Sequence, residues 1–172
     1  MRIRRSLWSL GGLAMLLSVA LGLGVFRQAR SVLATPQSGF TSTIVGPTRF
    51  DEIDLKTHLG DHKVMLKTNG LSDIYVVTNK VAALGGNSGW HTHPGPSIVS
   101  VKSGVATVYD GDDPNCTPHY YSPGMGFVDP GDGHVHLVRN EGTVELELVA
   151  FQIVPLGAQR RIDVPAPGYC PF

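Results

Sequence analysis

The sequence predicts an all-β domain, an antiparallel sandwich or barrel, behind an N-terminal hydrophobic export segment. Three observations predict it. After residue 35, short runs rich in Val, Ile, Thr and aromatics alternate with turn signals at even spacing. No segment there sustains a helical hydrophobic period over three turns. The 172 residues include 21 Gly and 12 Pro, a composition suited to one compact, turn-rich domain.

In order along the chain, residues 1–34 come first. Arg2, Arg4 and Arg5 precede an uncharged stretch from Ser6 to Phe26. Val32-Leu33-Ala34 then supplies the small-residue pattern for signal peptidase, with cleavage before Thr35. The stretch is also long enough to cross a bilayer as one helix. It reads as a cleaved signal peptide, with an uncleaved membrane anchor as the alternative. Either places residues 35–172 outside the cytoplasm, secreted or periplasmic, with the membrane met only through this segment.

Residues 35–59 read as a linker and lead-in that becomes ordered near Ile44 or Phe50. Within it, FDEIDLKTHLG (50–60) has the pattern of a short amphipathic helix. Lys63–Lys67 precedes Asn69-Gly70, a hairpin signal, and Ser72–Leu84 is β-branched enough for a long strand. Ser97–Lys102 and Val105–Tyr109 flank Ser103-Gly104, a second hairpin candidate. Gly126–Val128, Val135–Arg139 and Val144–Val154 complete the set. In the last, Val144, Leu146 and Leu148 alternate with Glu145 and Glu147, so one face is apolar and the other charged. Residues 60–172 form the predicted domain.

Charge excludes some partners. Fourteen basic and fourteen acidic side chains cancel, which leaves no basic excess for nucleic acid or an anionic membrane surface. Exposed sheet edges leave room for a homodimer. The only two cysteines, Cys116 and Cys170, lie in Pro-rich irregular stretches of an exported chain, and read as one disulfide tying the C-terminal tail to a loop.

Four of the seven histidines fall in two His-x-His pairs, His91/His93 and His134/His136, each entered through a Gly/Pro turn. On extended backbone, residues two apart share a face. Paired imidazoles pointing into a barrel are a start on a divalent-metal site, for Fe, Mn, Ni, Cu or Zn. The acidic loop YDGDDPNCTP lacks the ligand spacing of a calcium loop.

Here the chain resembles the cupin superfamily, in its small single-domain (cupin 2) form. The first cupin motif, G-x5-H-x-H-x(3,4)-E-x6-G, is matched by Gly85, His91, His93 and Gly104, with Ser97 in place of the glutamate. The second, G-x5-P-x-G-x2-H-x3-N, is matched by Gly124, Pro130, Gly133, His136 and Asn140, with one extra residue between Pro130 and Gly133. The resemblance implies a double-stranded β-helix, a jelly-roll-like barrel. It implies His91, His93 and His136 as metal ligands, with His134 as the alternative third ligand if the extra residue shifts the strand. Trp90, Ser97 and Asn140 are expected to line the pocket, and no nearby acid is an evident substitute for the missing glutamate.

Three neutral imidazoles leave a dication's charge intact, which favours an anionic, chelating small molecule. The resemblance implies a dioxygenase-type oxidoreductase or an isomerase on an oxygen-rich substrate. The alternatives are a non-catalytic cupin that binds or senses a metal or small ligand, and a structural module with vestigial histidines. No catalytic acid–base pair is evident.

Overall fold

A computed structural model describes residues 33–172; the predicted export segment, apart from its last two positions, lies outside them. Among the described residues every regular element is a strand. In chain order they are β1 (Phe40–Phe50), β2 (Asp54–Leu59), β3 (His62–Lys67), β4 (Ser72–Val81), β5 (Gly86–Asn87), β6 (His91–Thr92) and β7 (Ser97–Ser103). β8 (Ala106–Asp110), β9 (His119–Tyr121), β10 (Gly126–Asp129), β11 (His136–Asn140), β12 (Leu146–Pro155) and β13 (Ile162–Asp163) follow.

One sheet runs β1-β4-β12-β7-β10. The other runs β13-β6-β11-β8-β9, with β5 also on β11, while β2 and β3 pair with each other. Their inner faces share one core. Val77 and Val81 of β4, Val99 and Val101 of β7, and Leu146, Leu148 and Ala150 of β12 meet Ala106 and Val108 of β8 and Val138 of β11. This is the double-stranded β-helix that the motifs implied. The alternation read in the last strand holds from Leu146 to Phe151: Leu146 and Leu148 are buried, while Glu145 and Glu147 pair outside with Lys80 and Lys102; Val144, read on the apolar face, precedes the strand and is exposed.

The local structure departs from expectation at four points. Regular pairing begins at Phe40, not Ile44, because β1 pairs along nearly its whole length with β4, and Thr35 and Ser38 before it already bond to Val164 and Asn87. The predicted helix in 50–60 is strand β2, paired to β3 with Leu55 opposite Leu66. A helix of about three turns is marginal alone, whereas the hairpin gives each of its strands a partner. The turn between them is at Gly60 (φ +57), so Asn69-Gly70 links this hairpin to β4 instead of closing one. Ser103-Gly104 likewise closes no hairpin: β7 pairs with β12 and β10, while β8 pairs with β11 and β9. The chain crosses there from one sheet to the other. Gly104 has φ +73, and a Cβ on it would meet the Leu146 backbone at 2.8 Å. Only glycine passes there without a shift.

A second buried cluster, Trp90, Tyr109 and Leu137, packs with Val164, Ala166 and both cysteines of the Cys116–Cys170 disulfide. Leu137 alternates with the core residue Val138, so this cluster lies on the other face of the sheet, beneath the C-terminal tail. Tyr109 also contacts Phe172, over which the Arg139 guanidinium sits at 4.2 Å. The disulfide closes a span of 54 residues. On chain-entropy grounds that should stabilise the fold by about 4 kcal/mol. Reducing the protein, or replacing either cysteine by serine, should therefore lower the urea-unfolding free energy by about that amount. The double replacement should cost no more than either single one; additive losses would show that the bond is not formed.

Candidate metal centre

Two strand registers build the site. On the second sheet, β6 pairs with β11 so that His91 stands opposite His136. On the first sheet, Ser97 of β7 stands opposite Asp129 of β10 on one side and Gln152 of β12 on the other. His93 follows β6 by one residue. The ring centroids of His91 lie 4.9 Å from His93 and 4.3 Å from His136, and those of His93 and His136 are 5.5 Å apart. Ligand nitrogens of the three lie within 4.8 Å of one another, and all three rings are buried.

The extra residue in the second motif does not displace His136. Gly131, Asp132 and Gly133 all have positive φ, 71, 52 and 83. They absorb the added length in the turn before β11 begins. A Cβ on Gly131 would collide with the Gly95 backbone, so this turn packs directly on the loop that carries His93.

Each ring is held from behind. His91 Nδ1 donates to the Gly89 carbonyl at 2.9 Å, and His93 Nδ1 to the Arg160 carbonyl at 2.7 Å. Fixing the proton on Nδ1 leaves Nε2 as the lone-pair nitrogen, the arrangement that orients histidines toward metals. His136 Nδ1 faces Asp129 Oδ1 at 3.6 Å, just beyond hydrogen-bond reach. That Nδ1 and Oδ2 of Asp129 are both buried with no partner. Burial holds His91 well below the usual imidazole range, aided by the charges of His136, Arg161 and His93. It also lowers His93 and takes His136 down to about 4, in His136 against the pull of Asp129. Three neutral imidazoles are the protonation state a metal needs. With anchored rings and orphaned polar atoms beside them, the donor set fits a divalent ion.

His134 stands apart from this triad. Its Nδ1 donates to Asp129 Oδ1 at 3.0 Å, and its Nε2 lies 3.4 Å from Asp110, which also meets His119. It forms a second group with Asp129 and His136.

Other expected pocket residues divide. Ser97 lines the cavity with the three histidines. Trp90 does not: it is fully buried in the cluster under the tail. Asn140 is also fully buried, and its amide ties the Val81 and Val144 carbonyls together. Its part is to brace the end of β11.

Four polar cavity residues, Asp129, Gln152, Arg160 and Arg161, escaped sequence reasoning. Asp129 directly precedes the Pro/Gly turn of the second motif, yet it is 3% exposed and closes the wall beside His136. Its place opposite Ser97 was the available signal, and that needs the register. Gln152 donates to Ser97 Oγ at 2.9 Å and accepts from Arg160 Nη1 at 2.8 Å. Arg161 is occupied by Asp163 and the Ser88 carbonyl.

No protein-family model and no curated protein matches the chain. Among solved structures, it is similar to an uncharacterized conserved protein with a double-stranded β-helix domain from Klebsiella pneumoniae, at 23% identity over 70% of this chain and 90% of that one, with TM-score 0.44. It is similar to KdgF from Halomonas sp. at 20% identity, over 66% and 78% of the two chains, with TM-score 0.43. Salicylate 1,2-dioxygenase from Pseudoaminobacter salicylatoxidans, in complex with gentisate, is similar at 16% identity over 46% and 20%, with TM-score 0.39.

Two predictions follow from the ring supports. Asp129→Asn should weaken divalent-metal affinity by about 10- to 100-fold in a chelator-competition titration, as loss of an outer carboxylate does elsewhere; unchanged affinity would remove Asp129 from the centre. The lowered imidazole values also set a pH dependence. Below about 6.5 the unfolded chain binds protons that the folded one refuses. Stability of the metal-free protein should therefore be intact above pH 7 and fall from there toward pH 4, measured by urea unfolding at stepped pH. By strand order, shared core and histidine placement, this chain has the cupin fold, a small all-β double-stranded β-helix.

Proposed function

We propose that this is an exported, metal-dependent cupin that takes a small anionic, chelating substrate to a divalent ion held by His91, His93 and His136, and oxygenates or isomerises it. The observation that carries the reading is the convergence of three buried, neutral imidazoles whose Nδ1 atoms all face acceptors. When bound, such an ion supplies Lewis-acid polarisation and a template for oxygen donors; Fe, Ni, Cu and Zn suit imidazole, and Mn would lean more on oxygen donors from the substrate.

The chain's own residues do the rest. The two main-chain carbonyls and Asp129 hold the rings in place. Ser97, where a carboxylate ligand would sit in the motif, leaves the centre uncompensated on that side and so open to an anionic ligand. The β7–β12 wall supplies neutral polar contacts through Ser97 and Gln152. Export is supported by the N-terminal segment and by the disulfide, which suits an oxidising compartment.

One observation favours a binding or sensing role over catalysis. Among the described residues Asp129 is the only carboxylate lining the cavity, and it is engaged with His134. The two readings separate by oxygen uptake of the Fe(II) protein across diketones, flavonols, thiols and short acids. Turnover with any of them supports the enzyme, whereas metal uptake with no turnover supports the binder. Protein purified without a His tag that takes up none of the five metals would sink both. Ser97→Glu should raise metal retention and weaken binding of anionic ligands, read by the same competition titration and by calorimetry.

A further inference from the structure

The cavity holds a cation with no ion-pair partner among the described residues. Arg160 is half-buried and lines the cavity with the three histidines. Among the described residues no carboxylate lies within salt-bridge reach of its guanidinium, in contrast to Arg161, which is paired to Asp163 at 2.6 Å. Its one side-chain bond among the described residues is from Nη1 to Gln152 Oε1, at 2.8 Å. A guanidinium offers five N–H donors in a planar fork, so most of this one is uncommitted. Its place relative to the histidines is fixed by its own main chain, because the Arg160 carbonyl accepts from His93 Nδ1.

Withdrawing a charge from water without a counterion costs free energy. Three neutral imidazoles around a dication carry two positive charges; Asp129 removes one and Arg160 restores it. The cavity as a whole then favours an anion, and the bidentate fork selects among anions for a planar carboxylate.

We infer that Arg160 is the anchor for a substrate carboxylate, and that the cavity's ligand is a small carboxylate bearing a second oxygen donor for the metal. The inference rests on the metal reading above and narrows its substrate class. A purely structural Arg160 would instead hold Gln152 in place, and its loss would disturb charged and neutral ligands alike.

Glycolate and its neutral counterpart glycolamide separate these roles. Calorimetry on the Zn(II)-loaded full chain, scored at equal metal occupancy, should show Arg160→Gln weakening glycolate by about tenfold or more while leaving glycolamide within about twofold, since a charge-assisted hydrogen bond is lost only for the first. Arg160→Lys should recover part of the loss, keeping the charge without the fork. Equal weakening of both ligands, or no change for glycolate, overturns the inference. Failure of wild-type protein to take up zinc or any other divalent metal would sink the metal reading instead. The same titration on metal-free protein still decides on Arg160. A glycolate-dependent shift of its Nε–Hε resonance that glycolamide does not produce supports the anchor, and no shift overturns it.

Discussion

The register between β6 and β11 sets His91 opposite His136, and the chemistry of the site depends on that single pairing. Side chains directly opposite on antiparallel strands lie close enough to touch, and a slip of one residue would send the whole set to the other face. The slip is opposed from both sides of the sheet. Val138, two residues beyond His136, is packed in the core shared with the other sheet, while Leu137 is packed under the tail with Trp90. Ser88 adds a polar lock, accepting from the Val138 amide at 2.9 Å. Hydrophobic burial on both faces thus holds three polar rings in one place, which rings alone could not do.

Holding them there has an electrostatic consequence. Three imidazoles crowded into a dry pocket disfavour protonation through desolvation and mutual repulsion together. Asp129 works against this for His136 and His93 without sitting among the rings. A carboxylate behind a ring strengthens that ring as a donor and holds its orientation; a carboxylate in front of it would occupy the metal. The chain has Ser97 in the front position and Asp129 directly across the ladder from it. Negative charge is therefore near the centre and yet leaves the approach open.

Much of this was legible in the chain itself. The central strands β4, β7, β8, β10, β11 and β12, the disulfide partners and the two His-x-His pairs follow from alternation, turn residues and cysteine context, all local signals, whereas β1 and the short strands β5, β6, β9 and β13 do not. What escaped was non-local. Asp129 reads as a turn residue until β10 is laid against β7, and Arg160 reads as a tail residue until β13 is laid against β6, at Ile162–Thr92. Trp90 next to a ligand looks like a pocket wall, but alternation along a two-residue strand sends it outward, where the C-terminal tail covers it. The hairpin misreadings have the same origin. Asn69-Gly70 and Ser103-Gly104 carry good turn chemistry, and turn chemistry reports a reversal of direction without saying which strand lies alongside.

The tail gives the site a dependence that no local motif carries. Residues 160–164 provide the carbonyl under His93, the cavity guanidinium, the strand beside His91 and the amide that binds the Trp90 carbonyl. A few residues further on, Cys170 fastens the segment to Cys116, on the loop after β8. An unfastened tail would fray at its end, as chain termini do, and fraying that reached residue 160 would release His93 and the guanidinium together. The disulfide therefore bears on the site as well as on global stability, because it limits how far the last strand can open. Placing both a ring support and the uncommitted cation on this segment couples ligand geometry to the redox state of two cysteines, and it fits a protein whose working compartment keeps them joined.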